Sequence, residues 1–593
     1  MPADPLYRWT HPEVSFEEAE AFARELRLPQ VIAELLLSRG FDTPETVDLF
    51  LNPAIEQLHS PFEMLGMATA VERIQQAIAR REPILIYGDY DVDGTVATVL
   101  LKTAIDRIAG GESIVRYHIP HRIREGYGMQ AGVLADAAGL GVKLVISVDT
   151  GIRAFAAAEE AEKLGLDLVV TDHHLPDEIG GLPPAQAVIN PNQTGCPYPN
   201  KDLCGAGVAF KLAQALLEGS TIAPETVQTK LLPSFLKLLA VATVADAVAL
   251  TGENRVIVSI GLRELAKPVQ PGLRCLMELA KLTGDQPLTA TSVAFRLAPR
   301  INAAGRMDIA SDVVEMFLTR SPERGREIAE KLHRLNDERR ATEQAALDEI
   351  EALLAADPSR SEEGAIVMDG HGWHRGVIGI LASRVVDRTH RPALVLAHED
   401  GEAYGSGRSI PGFHLLDALT AIHSIAPLFT RFGGHAHAVG FSLPSDRVPE
   451  LRQSLGIYAR SAMPAEAMLP ALHCDASLPL ERITPALLDQ LRRFEPFGHS
   501  NPEPVFCTGP VRILDIRVLK DKHLRLRLEQ GNASIACLAW SRRMHWPTRL
   551  QELGLAVDSL VELAFRIREN SNPNFGTAIE LELCDLRPFD PAQ

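Results

Sequence analysis

The chain has 593 residues, 46% of them hydrophobic and 23% charged, ordinary values for a folded globular protein with enough chain for several buried cores. Its 77 acidic against 59 basic side chains leave a formal charge of −18, which favours solubility and argues against indiscriminate binding to polyanions. The first residues show no basic stretch followed by an apolar core, and no unbroken apolar run reaches about eighteen residues. A cytoplasmic address with no membrane association is therefore expected. The seven cysteines are scattered and include no C-x-x-C pair, which suits reduced thiols better than a disulfide framework or a zinc site.

Residues 1–60 carry no readable functional signal. From residue 83 the pattern alternates: Pro83–Tyr87 predicts a buried strand, Thr95–Ala109 a helix, 113–119 and Lys143–Val148 further strands, Arg153–Leu164 a helix and Asp167–Val170 another strand. Near-continuous Val/Ile/Leu strands separated by helices predict a parallel sheet covered on both faces, with ligands beyond its carboxyl ends. After about residue 205 the chain turns helical. Ser321-Pro322 then opens a helix running to Ala356, with Ser as N-cap and Pro at the first position. At 1.5 Å per residue it is roughly 50 Å long, a connector between two lobes or else a surface helix of one large domain. A second α/β unit follows, with a strand at Ala365–Met368, a helix over Val377–Asp387, a strand at Ala393–Leu396 and a glycine-rich stretch over Gly401–Gly412. Ala462–Ala471 reads as a boundary. Beyond Val511 the period-two pattern, as in Leu524-Arg525-Leu526-Arg527-Leu528, predicts antiparallel strands of a small barrel or sandwich.

The sharpest chemical feature is Asp89-Tyr90-Asp91-Val92-Asp93-Gly94, a carboxylate cluster that needs a cation to be stable. An EF-hand is rejected because Leu100 stands where its bidentate Glu is required and a strand, not a helix, precedes the motif. Asp149 and Asp172-His173-His174 each follow a predicted strand, and Asp246 ends the apolar run Lys237–Ala245. Each acid alone also reads as a helix N-cap. Strand ends of one parallel sheet converge, however, and hard oxygen ligands with one or two imidazoles suit Mn²⁺ or Mg²⁺. One carboxylate bridging two ions is the arrangement used for displacement at phosphorus. From the residues themselves, the chain is a two-metal phosphoesterase.

These motifs are joined in order by Leu203-Cys204-Gly205-Ala206-Gly207, Thr243-Val244-Ala245-Asp246, Pro299–Arg306, Gly405-Ser406-Gly407-Arg408-Ser409 and Phe432-Gly433-Gly434-His435. The set resembles the DHH phosphoesterase family, spelled here by Asp172-His173-His174, and within it the RecJ-type single-strand-specific 5′→3′ DNA exonucleases. The resemblance runs from about residue 60 to the C-terminus. It implies an α/β fold: a parallel-sheet DHH lobe with a helical part (61–320), the long helix (321–357), a smaller α/β DHHA1 lobe (358–461), and a linker with a C-terminal all-β OB-like barrel (462–593).

The resemblance further implies that Asp91, Asp93, Asp149, His173 and Asp246 ligate two divalent cations, Mn²⁺ or Mg²⁺, with Asp149 bridging. His174 would face the scissile phosphate, and Asp172 would belong to the catalytic set. Asp89 would be either a direct ligand or a group orienting one. Val92 replaces the usual Ala. Arg122, Ser406 and Arg408 would cradle the terminal 5′ phosphate, Arg124 being an equally near candidate to Arg122, while Asn302, Arg306 and His435 would contact the strand. For Gly433-Gly434-His435 a tight turn is the other reading. Around the barrel, Arg512, Arg517, Lys520, Lys522, Arg525, Arg527, Arg542, Arg543 and Arg549 outnumber Asp515, Asp521 and Glu529, with His523, Trp540 and Trp546 nearby. This is either a groove that tracks a backbone and stacks bases or the solvated face of a sheet. The implied partners are single-stranded DNA, a single-strand-binding protein and a RecQ-type helicase, with the chain a monomer acting in DNA repair and recombination. The rival functions are a DHH oligoribonuclease or cyclic-dinucleotide phosphodiesterase, and an inactive replication scaffold.

Overall fold

The computed structural model describes residues 6–589 except 112–113, 123, 127, 178–179, 285–286, 358–359, 361–362, 542–543 and 571–578. Arg542 and Arg543, expected at the basic groove, lie outside the described residues, as does the start of the strand expected at 113. The chain divides into two compact units, one made of Asp48–Arg339 with Phe494–Pro502, the other of Met1–Val47, Arg340–Arg493 and Glu503–Gln593.

The first unit is built on five parallel strands: Ile84–Tyr87, Val115–His118, Leu144–Val148, Asp167–Thr171 and Ala187–Ile189. Their spatial order is second, first, third, fourth, fifth. Alternate residues serve two different cores. Ile84, Ile86, Leu144, Ile146 and Val169 pack into one, and Leu85, Tyr87, Val145, Leu168 and Val170 into the other. That two-sided burial is why these strands read as unbroken apolar runs. The order reverses between Ile84–Tyr87 and Leu144–Val148, so a crevice opens beyond their carboxyl ends.

Among the described residues, one helical stretch, Pro224–Ala245, is long and apolar enough to cross a membrane, and 67% of its most apolar window is buried inside the protein. Leu236, Leu239, Ala240 and Val241 are wholly enclosed, so this apolar character serves a protein core. A buried ion pair lies in the same unit. Lys211 Nζ meets Glu253 Oε1 at 2.5 Å with both side chains 0% exposed. Glu253 also accepts from the Tyr198 hydroxyl at 2.8 Å and the His59 N–H at 3.0 Å.

The long helix runs Pro322–Ala356, capped by Ser321 Oγ, which accepts from Arg324 N at 3.1 Å. Its sparse apolar positions resolve into two stripes. Ile328, Ala329 and Leu332 join the core of the first unit, while Ala346, Ile350 and Leu354 join one of the second. It is a connector.

In the second unit, Ile366–His371, Ala393–Glu399, Glu402–Arg408, Ala438–Pro444 and Arg431–Gly434 form a five-stranded sheet in that spatial order, parallel only between the first two. The glycine-rich stretch is itself a strand, with Ala403, Gly405 and Gly407 on its buried side. Further on, Phe506–Leu519, His523–Gln530, Ala533–Ala539, Ile579–Pro588 and Leu560–Glu569 close into a five-stranded barrel through pairing of the first with the last. Leu524, Leu526 and Leu528 point inward, as the alternation requires. Two expected groove residues do not belong to the surface. Trp546 is 2% exposed and Arg549 8% exposed, both on the helix Trp546–Glu552. The Trp546 ring packs as core, and the enclosed Arg549 guanidinium lies 3.4 Å from the Glu552 carboxylate.

The N-terminal residues fold with this barrel. Arg8–Thr10 pairs parallel with Ala471–His473, the Trp9 indole donates to Asp585 Oδ2 at 2.8 Å, and the Arg587 guanidinium lies 4.2 Å from its ring centre.

The enclosed pair gives a stability prediction. Lys211→Met leaves Glu253 charged and enclosed without its cationic partner and is expected to cost about 3–5 kcal/mol. Lys211→Met with Glu253→Gln should recover part of that loss. Chemical denaturation measures both, and a single variant as stable as the parent would contradict the assignment.

Candidate active site

Three polypeptide turns leave the carboxyl ends of the sheet and meet in its crevice. In the first, Asp91 caps the helix Val92–Ile108, its Oδ1 accepting from Gly94 N at 3.0 Å. Asn302 Oδ1 accepts from Val92 N at 3.0 Å, so Asn302 holds the loop from a neighbouring helix, while Val92 itself packs into the core. Gly94 allows this path, because a Cβ there would lie 2.5 Å from Asp89 N. Asp93, at the start of the same helix, accepts from Gly205 N at 2.6 Å and Ala206 N at 2.9 Å. Those N–H groups begin the helix Gly205–Glu218, whose positive end favours an anion. Glycine at 205 is required for a second reason: a Cβ there would sit 2.3 Å from Asp149 Oδ1.

Asp149 leaves the strand Leu144–Val148 at a φ of 58°, a left-handed conformation that Asp tolerates better than most residues. At the next strand end, Asp172 is enclosed by donors. Its Oδ2 accepts from Ile152 N at 2.9 Å, and its Oδ1 from His173 N at 2.8 Å, His174 N at 3.1 Å and His174 Nδ1 at 2.7 Å. Asp172 therefore sets the two imidazoles. Asn190 and Asn192 add to this by donating to the carbonyls of His174 at 2.9 Å and His173 at 2.8 Å. Sequence reasoning missed both asparagines. The signal was an Asn-Pro-Asn turn just after the strand Ala187–Ile189.

His173 Nε2 sits 3.4 Å from Asp149 Oδ1 and 3.9 Å from both Asp93 Oδ2 and Asp246 Oδ2. Within 4.8 Å of one another lie three ligand sets: Asp89, Asp91 and Asp149; Asp93, His173 and Asp246; and Asp149, His173 and His174. Asp149 is common to the first and last, and His173 to the last two. Asp89, left open between direct ligation and orientation, stands in the all-carboxylate set with its buried Oδ1 accepting no hydrogen bond. An enclosed carboxylate oxygen without a donor, among hard oxygens and imidazole, fits a divalent cation such as Mn²⁺ or Mg²⁺.

The electrostatics agree. Burial and the adjacent Asp93, Asp91 and Asp89 carboxylates hold Asp149 well above the usual carboxylate range. Burial, Asp93 and Asp91 push Asp246 up to about 9. Asp89 and Asp91 are raised by burial and by their acidic neighbours. Burial lowers His173. Asp172 runs the other way: burial would raise it, but the His174 hydrogen bond and charge bring it below its ordinary value. His174 rises to about 9 against the pull of burial, because Asp172 holds its proton.

Arg122 lies 5.0 Å over the Tyr90 ring and draws the Asp89 and Asp91 carboxyls down, against their larger upward push. Arg306 opposes the rise of the Tyr90 hydroxyl. Arg124 is exposed. In the other unit, Arg408 Nη1 donates to Ser406 Oγ at 3.2 Å, so those two expected cradle residues are neighbours. His435 is exposed in a tight turn, its N–H donating to Ala438 O at 2.8 Å. On the barrel, Lys520 and Lys522 flank the first hairpin turn and are exposed, as are Arg517 and Arg527. Arg525 is half-buried opposite Arg517. Trp540, 39% exposed, stands edge-on to His523 with ring centres 5.0 Å apart.

Three families match consecutive parts of the chain: the DHH family, N-terminal domain, over residues 83–243, the DHHA1 domain over 362–460 and the RecJ OB domain over 474–583. The single-stranded-DNA-specific exonuclease RecJ of Dickeya dadantii is 38% identical over 514 residues, covering 85% of this chain and 87% of that protein. The chain belongs to the RecJ family. The RecJ of Escherichia coli is 35% identical over 514 residues, with the same coverage of 85% and 87%. That of Bacillus subtilis is 36% identical over 541 residues, 90% of this chain but 66% of the longer relative. Among solved structures, RecJ of Thermus thermophilus in complex with Mn²⁺ matches 99% of this chain and 80% of its own at 29% identity and a TM-score of 0.81. A RecJ bound to manganese matches 70% of this chain and 98% of its own at 33% identity and a TM-score of 0.58.

The raised acids predict a linked effect of cation and pH. Asp246 moves from an ordinary 3.8 to about 9 on folding. Between those values the metal-free folded chain holds a proton that the unfolded chain has lost, so this contribution to stability disappears as pH rises through 9. A divalent cation replaces that proton. Mn²⁺ is therefore expected to raise the melting temperature more at about pH 8.5 than at about pH 6. Equal shifts at the two pH values would contradict the electrostatic account.

Proposed function

We propose that this chain is a metal-dependent, single-strand-specific DNA exonuclease that degrades from the 5′ end and releases 5′-mononucleotides. The observation that carries the reading is Asp149, common to two ligand sets at the switch point of a parallel sheet in a RecJ-family chain. Divalent ions bound there would supply the charge that activates a water and stabilises the departing 3′ oxygen. Asp91, Asp93, Asp149, His173 and Asp246 would hold the ions, and Asp89 is assigned as a further direct ligand on the strength of its donor-free oxygen. The protein's own part is positional. Asp172 takes the His174 Nδ1 proton in a hydrogen bond and keeps the imidazole protonated, so its cationic ring offers charge to an approaching phosphate.

Arg122 and Arg306 form the cationic rim near Tyr90, and Ser406 with Arg408 supply a hydroxyl and a forked guanidinium suited to a terminal phosphate. His435 contributes from its exposed turn. Asn302 acts through the loop it holds. Lys520, Lys522, Arg517, Arg525, Arg527 and Trp540 provide charge for a backbone and a ring for base stacking, on the hairpin loop and strands that barrels of this type use for oligonucleotides. A cytoplasmic address, with none of the seven cysteines in a disulfide, suits a DNA substrate. By family resemblance, a single-strand-binding protein and a RecQ-type helicase are its partners.

Digestion of 5′- and 3′-labelled single strands with Mn²⁺ or Mg²⁺ tests polarity and mechanism together. Release of the 5′ label first is expected, with Asp149→Ala losing at least about 10³-fold in rate, the scale of removing a group central to charge stabilisation. Release of the 3′ label first, or an active Asp149→Ala, would overturn the proposal. For the barrel, Lys520→Ala with Lys522→Ala is expected to lower the slope of log K against log salt by about 1.4, from two phosphate contacts at about 0.7 each. An unchanged slope in a single-strand binding titration would place the strand elsewhere.

A further inference from the structure

The second unit holds a cluster of metal-ligating side chains unrelated to the acidic centre. One imidazole nitrogen of His11 and the Sγ atoms of Cys474 and Cys507 all lie within 4.8 Å of one another. The three residues are separated in sequence and are brought together by strand pairings in two neighbouring sheets. His11 directly follows the strand Arg8–Thr10, which pairs with Ala471–His473. Cys474 N then donates to Thr10 O at 2.8 Å. Cys507 lies on the first barrel strand, opposite Ser477. Cys474 is fully enclosed, Cys507 half-buried and His11 exposed. Cys584 packs with Cys507, Leu472 and Trp9 against the same small core around Cys474 and Val505.

Two thiols in an apolar pocket are ordinarily inert packing. What distinguishes this cluster is the imidazole beside them, which neither packing nor a disulfide needs. A nitrogen and two sulfurs within 4.8 Å of one another are close enough for small side-chain adjustments to bring all three onto one Zn²⁺, whose bonds to N and S are about 2.0 and 2.3 Å. The soft thiolates select against Mn²⁺ and Mg²⁺, which the oxygen-rich centre prefers.

We propose that His11, Cys474 and Cys507 form a structural zinc site that fastens the N-terminal segment to the barrel. Each cysteine gives up its proton on ligation. Because the ligands meet only in the folded chain, binding of the ion adds to fold stability, besides fixing the entry of the first barrel strand.

Cobalt substitution separates this site from the catalytic one, because only sulfur ligation gives a thiolate-to-cobalt charge-transfer absorption. The reduced full-length protein titrated with Co²⁺ should develop that band, lose it on adding Zn²⁺, and retain it in Asp149→Ala. Cys507→Ser should abolish it. Exposed His11→Ala, which leaves the core untouched, should weaken cobalt binding at least about tenfold, the loss caused even by removing an outer partner of a metal ligand. Zinc should also protect thiols of the folded wild type from a thiol reagent. Absence of the band in the reduced wild type, or its persistence in both Cys507→Ser and His11→Ala, would overturn the proposal. So would formation of a Cys474–Cys507 disulfide without metal uptake by the reduced protein.

Discussion

Mutual repulsion among enclosed carboxylates is the constraint around which the catalytic unit is organised. Asp89, Asp91, Asp93, Asp149 and Asp246 stand together where water is scarce, and four of them are pushed upward by burial and by one another. Such a cluster is unfavourable by itself. It persists because the backbone leaves no alternative: strand ends deliver Asp89 and Asp149, a helix start delivers Asp93, and a helix end delivers Asp246. The cost of this arrangement is offset when cations bind, which couples ligand affinity to fold stability in the same residues.

The surrounding structure serves that cluster. Two backbone N–H groups at the start of Gly205–Glu218 stabilise Asp93, and the absence of a side chain at position 205 makes room for Asp149. Asp172 is occupied by backbone and imidazole donors, so the residue that begins the Asp-His-His motif positions the two that follow. The formal charge of −18 is compatible with a DNA substrate on these terms. Part of it lies in the acids that bound cations offset, while the barrel turns Lys520, Lys522, Arg517 and Arg527 outward.

Much of this organisation was legible from residue patterns. Strands buried on two faces must be apolar throughout, so Ile84–Tyr87 and Leu144–Val148 stood out, and acids just after them had to converge. The capped start of Pro322–Ala356 was equally plain. The barrel was visible where Leu524, Leu526 and Leu528 alternate with cations, but its opening at Phe506 was not, because an inserted register shift breaks the alternation there. Trp546 and Arg549 look like surface binders by residue type alone. Their burial depends on a helix folding back across the barrel, which no local pattern records.

The sequence by itself determined the element types of the parallel sheet, the metal-binding chemistry and the family, because periodicity, spacing and ligand chemistry are local properties. Only the tertiary structure decided that Asp149 and His173 are each shared between ligand sets, that Asn190 and Asn192 brace the imidazoles, and that the N-terminal strand packs against the barrel through Trp9. It also brought His11, Cys474 and Cys507 together, cysteines that spacing alone assigns to no metal site. Contacts between residues hundreds of positions apart are set by sheet order and closure, and those are decided by which buried faces find partners across the whole chain.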